Sequence, residues 1–287
     1  MTQISILGCG WLGLPVAKVL LEKAFLVKGT TTSIDKLSVI EKLGIQPFLI
    51  TLSEDKTEGN LDGFLENSEI LIIDIPPKLR GLGTDPSTAL KKTFVEKIKN
   101  IIPHIEKSTV KKVLFISSTS VYAEDNSIVT EDSILNPETE SGRQIVIVEQ
   151  LLQNNSNFKT TILRFGGLIG EDRHPIPFLA GKRNLENPKA PINLIHQLDC
   201  IGIIQKIIEK SLRTPEVSGQ DDKLVWGETF NAVAPFHPSR EDYYTQKAID
   251  LELELPQFNL ESPTFGKTIL SAKVETVLEY SFLKPNL

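Results

Sequence analysis

A short apolar run that breaks into glycines, ISILGCGWLG at residues 4–13, restricts the fold of this chain more than any other segment. It sets Gly8, Gly10 and Gly13 in the spacing G-x-G-x-x-G, with a strand-like run before them and the helix-like PVAKVLLEKA (15–24) after them. Each glycine has a mechanical reason in such a loop. The first allows the tight turn, the second lets a diphosphate approach the backbone, and the third lets helix and strand pack closely. Free N–H groups and the helix dipole then favour an anion at the helix start. The strand–loop–helix context therefore predicts a dinucleotide site built on Gly8, Gly10, Trp11, Leu12 and Gly13. Cys9 reads as a small loop filler, because no sequence neighbour would lower its pKa.

The rest of the chain repeats the same alternation. FLVKGT (25–30), QPFLI (46–50), EILIIDI (69–75), KVLFISS (112–118) and TTILRF (160–165) read as strands. Several are nearly continuous apolar runs, as strands buried on both faces require. Between them lie the helical patterns SIDKLSVIEKLG (33–44), with Ser33 as N-cap and Gly44 as stop, a long helix near 87–101, and GRQIVIVEQLLQ (142–153). The predicted class is α/β: a doubly wound parallel sheet of Rossmann type with right-handed crossovers. Beyond residue 165 the chain turns rich in Gly, Pro and charge. This places a dinucleotide-binding domain at 1–165 and a small C-terminal α/β lobe, mainly for substrate, at 166–287. A helix (199–212) and a short strand (228–234) within about 193–234 are expected to return to the first domain.

Cofactor choice in such folds falls to the end of the second strand. An acidic side chain there accepts from the ribose 2′-hydroxyl of NAD, whereas basic or hydroxyl-rich ends suit the 2′-phosphate of NADP. Here the strand ends in Thr30-Thr31-Thr32-Ser33, followed by Asp35 and Lys36. Asp35 reads as a first-turn residue that offsets the helix dipole. Thr31, Thr32, Ser33 and Lys36 thus favour NADP over NAD.

Composition removes other function classes. A net charge of −6 argues against a nucleic-acid or anionic-membrane partner. The apolar start lacks a basic n-region and is broken by glycines and Pro15, unlike a signal peptide. No run reaches the ~20 apolar residues of a membrane span. Two cysteines are too few for a disulfide framework or a zinc site, so no metal is expected and a cytoplasmic location is the simplest expectation.

Taken together, GWLG with its apolar helix, DIPP (74–77), FISSTSVYAE (115–124), ESGRQIVIVEQ and RFGGLIG (164–170) resemble the extended short-chain dehydrogenase/reductase superfamily, the group of nucleotide-sugar epimerases and dehydratases. NLIHQLDC (193–200) and NAVAPFHPSREDYY (231–244) look like its later blocks. More narrowly, the chain looks like an atypical epimerase-like branch. The glycine loop departs from the extended pattern G-x-x-G-x-x-G, which would put a glycine at Leu7. The resemblance implies that Pro76, Pro77 and Ser117 line the cofactor, and that Ser118 donates a hydrogen bond to the substrate oxygen. It also implies a polar or sugar-like small-molecule substrate, and a homodimer through helices that include 142–153.

The same resemblance exposes a gap. The family places Tyr-x-x-x-Lys on the helix after Ser118, with a glutamate four residues beyond the lysine. Glu149 fixes the register, so Ser141 stands at the tyrosine position and Ile145 at the lysine position. A phenol with a lowered pKa moves the proton while hydride moves at carbon, and the lysine supplies the charge that lowers it. Neither serine nor isoleucine does this. Arg143 lies between them, as an anion ligand or a surface ion pair. Tyr122 and His174 are the replacement acids the sequence offers. Two functions follow: an NAD(P)-dependent epimerase- or oxidoreductase-like enzyme with a displaced acid, or a cofactor-binding sensor or partner-binding module without turnover.

Overall fold

The computed structural model describes residues 1–77, 93–210 and 225–287. Seven parallel strands form one sheet: β1 (Gln3–Leu7), β2 (Leu26–Thr31), β3 (Gln46–Leu49), β4 (Ile70–Ile73), β5 (Lys112–Ser118), β6 (Lys159–Phe165) and β7 (Thr229–Ala232). Their order across the sheet is β7-β6-β5-β4-β1-β2-β3. The direction of winding reverses between β1 and β4, which pair through Ile4 with Ile70 and Leu7 with Ile73. In open parallel sheets this switch point leaves a crevice at the carboxyl ends of the strands.

The helices are α1 (Gly13–Glu22), α2 (Leu37–Lys42), α3 (Leu61–Leu65), α4 (Thr93–Lys107), α5 (Glu140–Gln153), α6 (Gln197–Lys210), α7 (Arg240–Asp250) and α8 (Ala272–Val277). Of the helix expected near 87–101, residues 87–92 lie outside the described residues, as do 211 and 212 of the helix expected to end α6. The segment expected as one helix over 33–44 is divided. A 3-10 turn at Ile34–Lys36 precedes α2, and Ser33 makes no side-chain cap. Its backbone N–H instead donates to Thr31 Oγ1 at 3.1 Å, so the strand end caps the turn. Gly44 closes α2 with φ of +85°, where a side chain would be strained.

Strand pleating sorts the core into two layers. Ile70 and Ile72 face one side of the sheet with Ile4 and Ile6, while Leu71 and Ile73 face the other with Leu7. The first layer packs against Val16, Ala17 and Leu20 of α1 and Ile203, Ile204 and Ile207 of α6. The second packs against Phe94, Ile98 and Ile101 of α4 and Val148 and Leu152 of α5. These side chains are essentially inaccessible, and each fully buried Ile or Leu stabilises the fold by about 1.5–3 kcal/mol. Although α6 and β7 come late in the chain, β7 pairs with β6 and α6 shares the core of α1.

A third, smaller core gathers Ile169, Ile176, Ile192, Leu194, Tyr243, Tyr244 and Ala248. The short parallel strands Gly167–Ile169 and Leu194–His196 run beside it. The C-terminal segment is tied back by Asp199, a buried first-turn residue of α6. Its carboxylate accepts from Tyr280 Oη at 2.8 Å and from the backbone N–H groups of Leu283 and Lys284 at 2.6 and 3.1 Å. Among the described residues no helix is long and apolar enough to cross a membrane, and no cluster of three or more His, Cys, Asp or Glu could hold a metal ion.

Candidate functional site

A cleft of about 550 Å³ opens where β1, β2, β4 and β5 end. Its floor is the glycine loop. Gly8 has φ of +112°, and a Cβ there would collide with the carbonyl oxygen of Asp74. A Cβ at Gly13 would collide with the carbonyl oxygen of Gly8, so the first and last glycines let the loop close on itself. Gly10 differs, since a Cβ there meets no protein atom beyond its chain neighbours within 4 Å. It borders the open cleft. The Gly8 N–H donates to Thr30 Oγ1 at 2.8 Å and the Cys9 N–H to the Thr30 carbonyl at 2.9 Å, which fixes the loop on β2. Cys9 is buried, and desolvation and the nearby Asp74 push its thiol up to about 12. It fills space above Gly29, where a Cβ would strike its sulfur. That sulfur is not a nucleophile at neutral pH.

The cleft brings together most of the residues singled out by sequence: Gly8, Gly10, Trp11, Leu12, Thr31, Thr32, Lys36, Pro76, Pro77, Ser117 and Ser118 all line it. Gly13 lies beneath the loop, and Ser33 stands outside the lining. Lys36 is exposed at the β2 edge, so its ammonium is available to an anionic group.

The two serines at the end of β5 behave differently. Ser117 Oγ donates to Glu149 Oε1 at 2.5 Å, which commits its proton. Ser118 Oγ accepts the Ser120 N–H at 3.2 Å and can still donate its proton into the cleft. Ile145 also lines the cleft, whereas Ser141 does not. Ile145, at the position where the resemblance implies a lysine, is thus a buried hydrocarbon at the cleft.

Neither replacement acid lies in the cleft. Tyr122 is buried, and its hydroxyl donates to Asn231 Oδ1 at 2.9 Å while accepting from Arg164 Nη1 at 2.6 Å. Burial raises its pKa, against the lowering influence of Arg164. It belongs to an interior chain: Arg164 also holds Glu149 with two bonds of 3.0 and 2.6 Å, and Glu149 holds Ser117. His174 packs on the third core, where its Nε2 lies 2.8 Å from Tyr243 Oη and its Nδ1 accepts the Ile176 N–H at 3.1 Å. Burial, assisted by Lys247, lowers its pKa and keeps the ring neutral. Both side chains join elements of the fold, Tyr122 to β6 and β7 and His174 to α7. Arg143 is likewise turned away, in an exposed ion pair with Glu140 at 2.9 Å.

Three charged residues of the cleft escaped the sequence reading: Asp74, Lys97 and Arg173. Asp74 follows β4 directly, Lys97 projects from α4, and Arg173 lies in the turn after the strand Gly167–Ile169. The Arg173 guanidinium sits 4.9 Å from the Trp11 ring centroid, and Trp11 Nε1 donates to Asp172 Oδ1 at 2.8 Å. Gln197 Nε2 donates to the Trp11 carbonyl at 2.7 Å. Trp11 thereby ties the glycine loop to the 170–173 turn and to α6.

No family model matches the chain. Protein YeeZ of Escherichia coli strain K12 is 30% identical over 290 aligned residues, which cover 100% of this chain and 97% of YeeZ. Among solved structures, a UDP-glucuronic acid 4-epimerase from Bacillus cereus in complex with NAD superposes with a TM-score of 0.76 at 18% identity, over 98% of this chain and 91% of that one. A short-chain dehydrogenase/reductase superfamily protein from Agrobacterium tumefaciens with bound NAD gives 0.74 at 18% identity, over 98% and 92%. The chain therefore belongs to the family of protein YeeZ and is built on the fold of the short-chain dehydrogenases/reductases and NAD-dependent epimerases.

Proposed function

We propose that the cleft binds NAD(P), with NADP preferred, and that the protein is an epimerase/dehydratase-like oxidoreductase acting on a polar or sugar-like small molecule. The observation that carries this reading is the glycine loop at the switch point of the sheet, with Gly10 facing open cleft and the N-terminus of α1 behind it. Solved structures of the same fold hold NAD, which supports it. Thr31, Thr32 and Lys36 form a β2 edge whose hydroxyls and ammonium suit a 2′-phosphate. Ile50 and Leu52 offer an apolar wall of the kind an adenine ring needs.

When bound, the nicotinamide supplies hydride transfer, and the protein supplies position and electrostatics. Ser118 donates a hydrogen bond to the substrate oxygen at the reacting carbon. Ser117, held by Glu149, fixes the strand end on which Ser118 stands. The proton comes from a group other than a phenol, because no tyrosine is found among the residues lining the cleft. A homodimer through α4 and α5 belongs to the same reading, with Ile102, Ile147 and Leu151 lining a shallow groove between those helices.

Thermal unfolding with each dinucleotide tests the cofactor. A ligand that binds only the folded chain at about 100 times its Kd adds about 2.7 kcal/mol, or on the order of 5–10 °C in Tm for a protein of this size. NADPH is expected to give the larger shift and NADH a smaller one. A larger shift with NADH overturns the preference, and no shift with either overturns the site.

A further inference from the structure

Asp74 leaves β4 where the chain turns beneath the glycine loop. Its Oδ2 lies 3.1 Å from the position a Cβ at Gly13 would take, so the carboxyl stands against the first residue of α1. An acidic side chain thus already stands at the first turn of α1, which is where an incoming phosphate would also be drawn. The residue keeps an opening to the cleft, but protein atoms surround its carboxyl closely.

Arg173 is the cation facing it from the turn after the strand Gly167–Ile169. That turn is held by reciprocal backbone bonds between Gly170 and Arg173 of 2.8 and 3.1 Å, and the guanidinium rests over Trp11. From the loop, Cys9 adds a neutral thiol, and from α6, Cys200 adds another. Burial raises both thiols; Asp74 adds to the effect on Cys9, and Asp199 and then Asp74 add to it on Cys200. Lys97 of α4 lines the same cleft.

A dinucleotide diphosphate brings two negative charges into this space. Beside an ionised Asp74 they would repel it in a partly desolvated site. Beside a protonated Asp74 they gain an O–H donor, and Arg173, which lines the same cleft, can pair with phosphate oxygens, a geometry guanidinium suits. Resting on the dinucleotide reading above, we propose that Asp74 and Arg173 form a proton-coupled anion site, which takes up the diphosphate together with one proton from solvent on Asp74, Arg173 supplying the cationic contact.

The sign of the pH dependence follows. Burial pushes the Asp74 carboxyl up to about 7 in the free protein, against the lowering influence of Gly13 and Arg173. A bound diphosphate raises it further. Below the free value Asp74 is protonated in both states, so affinity is high and flat. Between the free and bound values affinity falls by about tenfold per pH unit, and above both it is low and flat.

The test uses NADH, which lacks the titrating 2′-phosphate, with the full-length chain and its Asp74→Asn and Arg173→Met variants between about pH 6 and pH 9. Wild-type affinity should fall by about tenfold or more across that range, with proton uptake seen by calorimetry in buffers of different ionisation heat. Asp74→Asn should bind with the wild-type low-pH affinity at every pH and take up no proton. Arg173→Met should bind about tenfold or more weakly throughout while keeping the pH slope. An unchanged slope in Asp74→Asn, or wild-type binding without proton uptake, overturns the proposal. Failure of folded wild-type protein to bind NADH or NADPH at any pH overturns the dinucleotide reading instead. The wild-type calorimetry decides the matter even if Asp74→Asn does not fold.

Discussion

Glu149→Gln is expected to destabilise the protein by about 3–5 kcal/mol, which for a chain of this size is on the order of 10 °C in Tm. Glu149 and Arg164 are both buried, with side chains 1% and 5% exposed. Their two hydrogen bonds, together with those from Ser117 and to Tyr122, satisfy a polar chain that water does not reach. Glutamine keeps the shape but leaves the guanidinium charged and unpaired, since arginine does not deprotonate. Burial disfavours that charge, and Glu149 is the main partner that offsets it. A control separates loss of the pair from loss of packing. Combining Glu149→Met with Arg164→Met removes both charges, so the double variant should be less destabilised than the sum of the two single ones by about 2 kcal/mol or more. Denaturant unfolding reads both quantities. A single variant within about 0.5 kcal/mol of wild type would show that the chain of bonds contributes nothing to stability.

That chain also explains where sequence reading stopped. Strands were legible to within a residue or two, because β4 and β5 are runs buried on both faces and only a two-sided layer demands such runs. The glycine loop was legible because its chemistry is carried by local backbone requirements. The surroundings of Tyr122 and His174 were not legible because they come from remote segments. Asn231 is 109 residues from Tyr122, and Tyr243 is 69 from His174. Asp74 was overlooked for the reverse reason. DIPP was visible as a motif, but the carboxylate's role depends on β4 lying beside β1, which brings it under Gly13. Arg173 gave no local signal at all, since its partner Trp11 lies far away in the sequence, in the glycine loop. Ile145 is the informative exception: its apolar character was read from the sequence, and the structure places that side chain in the cleft.

The glycines supply the second large effect, and they separate folding from ligand binding. On helix propensity alone Gly13→Ala should stabilise α1 by up to about 1 kcal/mol. Space decides otherwise. The new methyl would overlap the Gly8 carbonyl oxygen and press on Asp74 Oδ2, and the first of these is backbone that cannot rotate away. Overpacking of this kind costs about 1–3 kcal/mol, so the net effect is destabilising and the loop must open to accommodate it. Dinucleotide affinity should fall by about a hundredfold or more, because the displaced amides no longer converge on one phosphate. Gly10→Ala is the informative counterpart. Beyond its own chain neighbours no protein atom lies within 4 Å of the added methyl, so stability should stay within about 0.5 kcal/mol of wild type. The methyl nevertheless stands where the diphosphate must approach the backbone, and affinity should again drop by about tenfold or more. Paired melting curves and NADH titrations of the two variants measure this. If Gly10→Ala binds NADH as tightly as wild type, the open side of the loop does not face the diphosphate, and the cofactor must enter the cleft by a different edge.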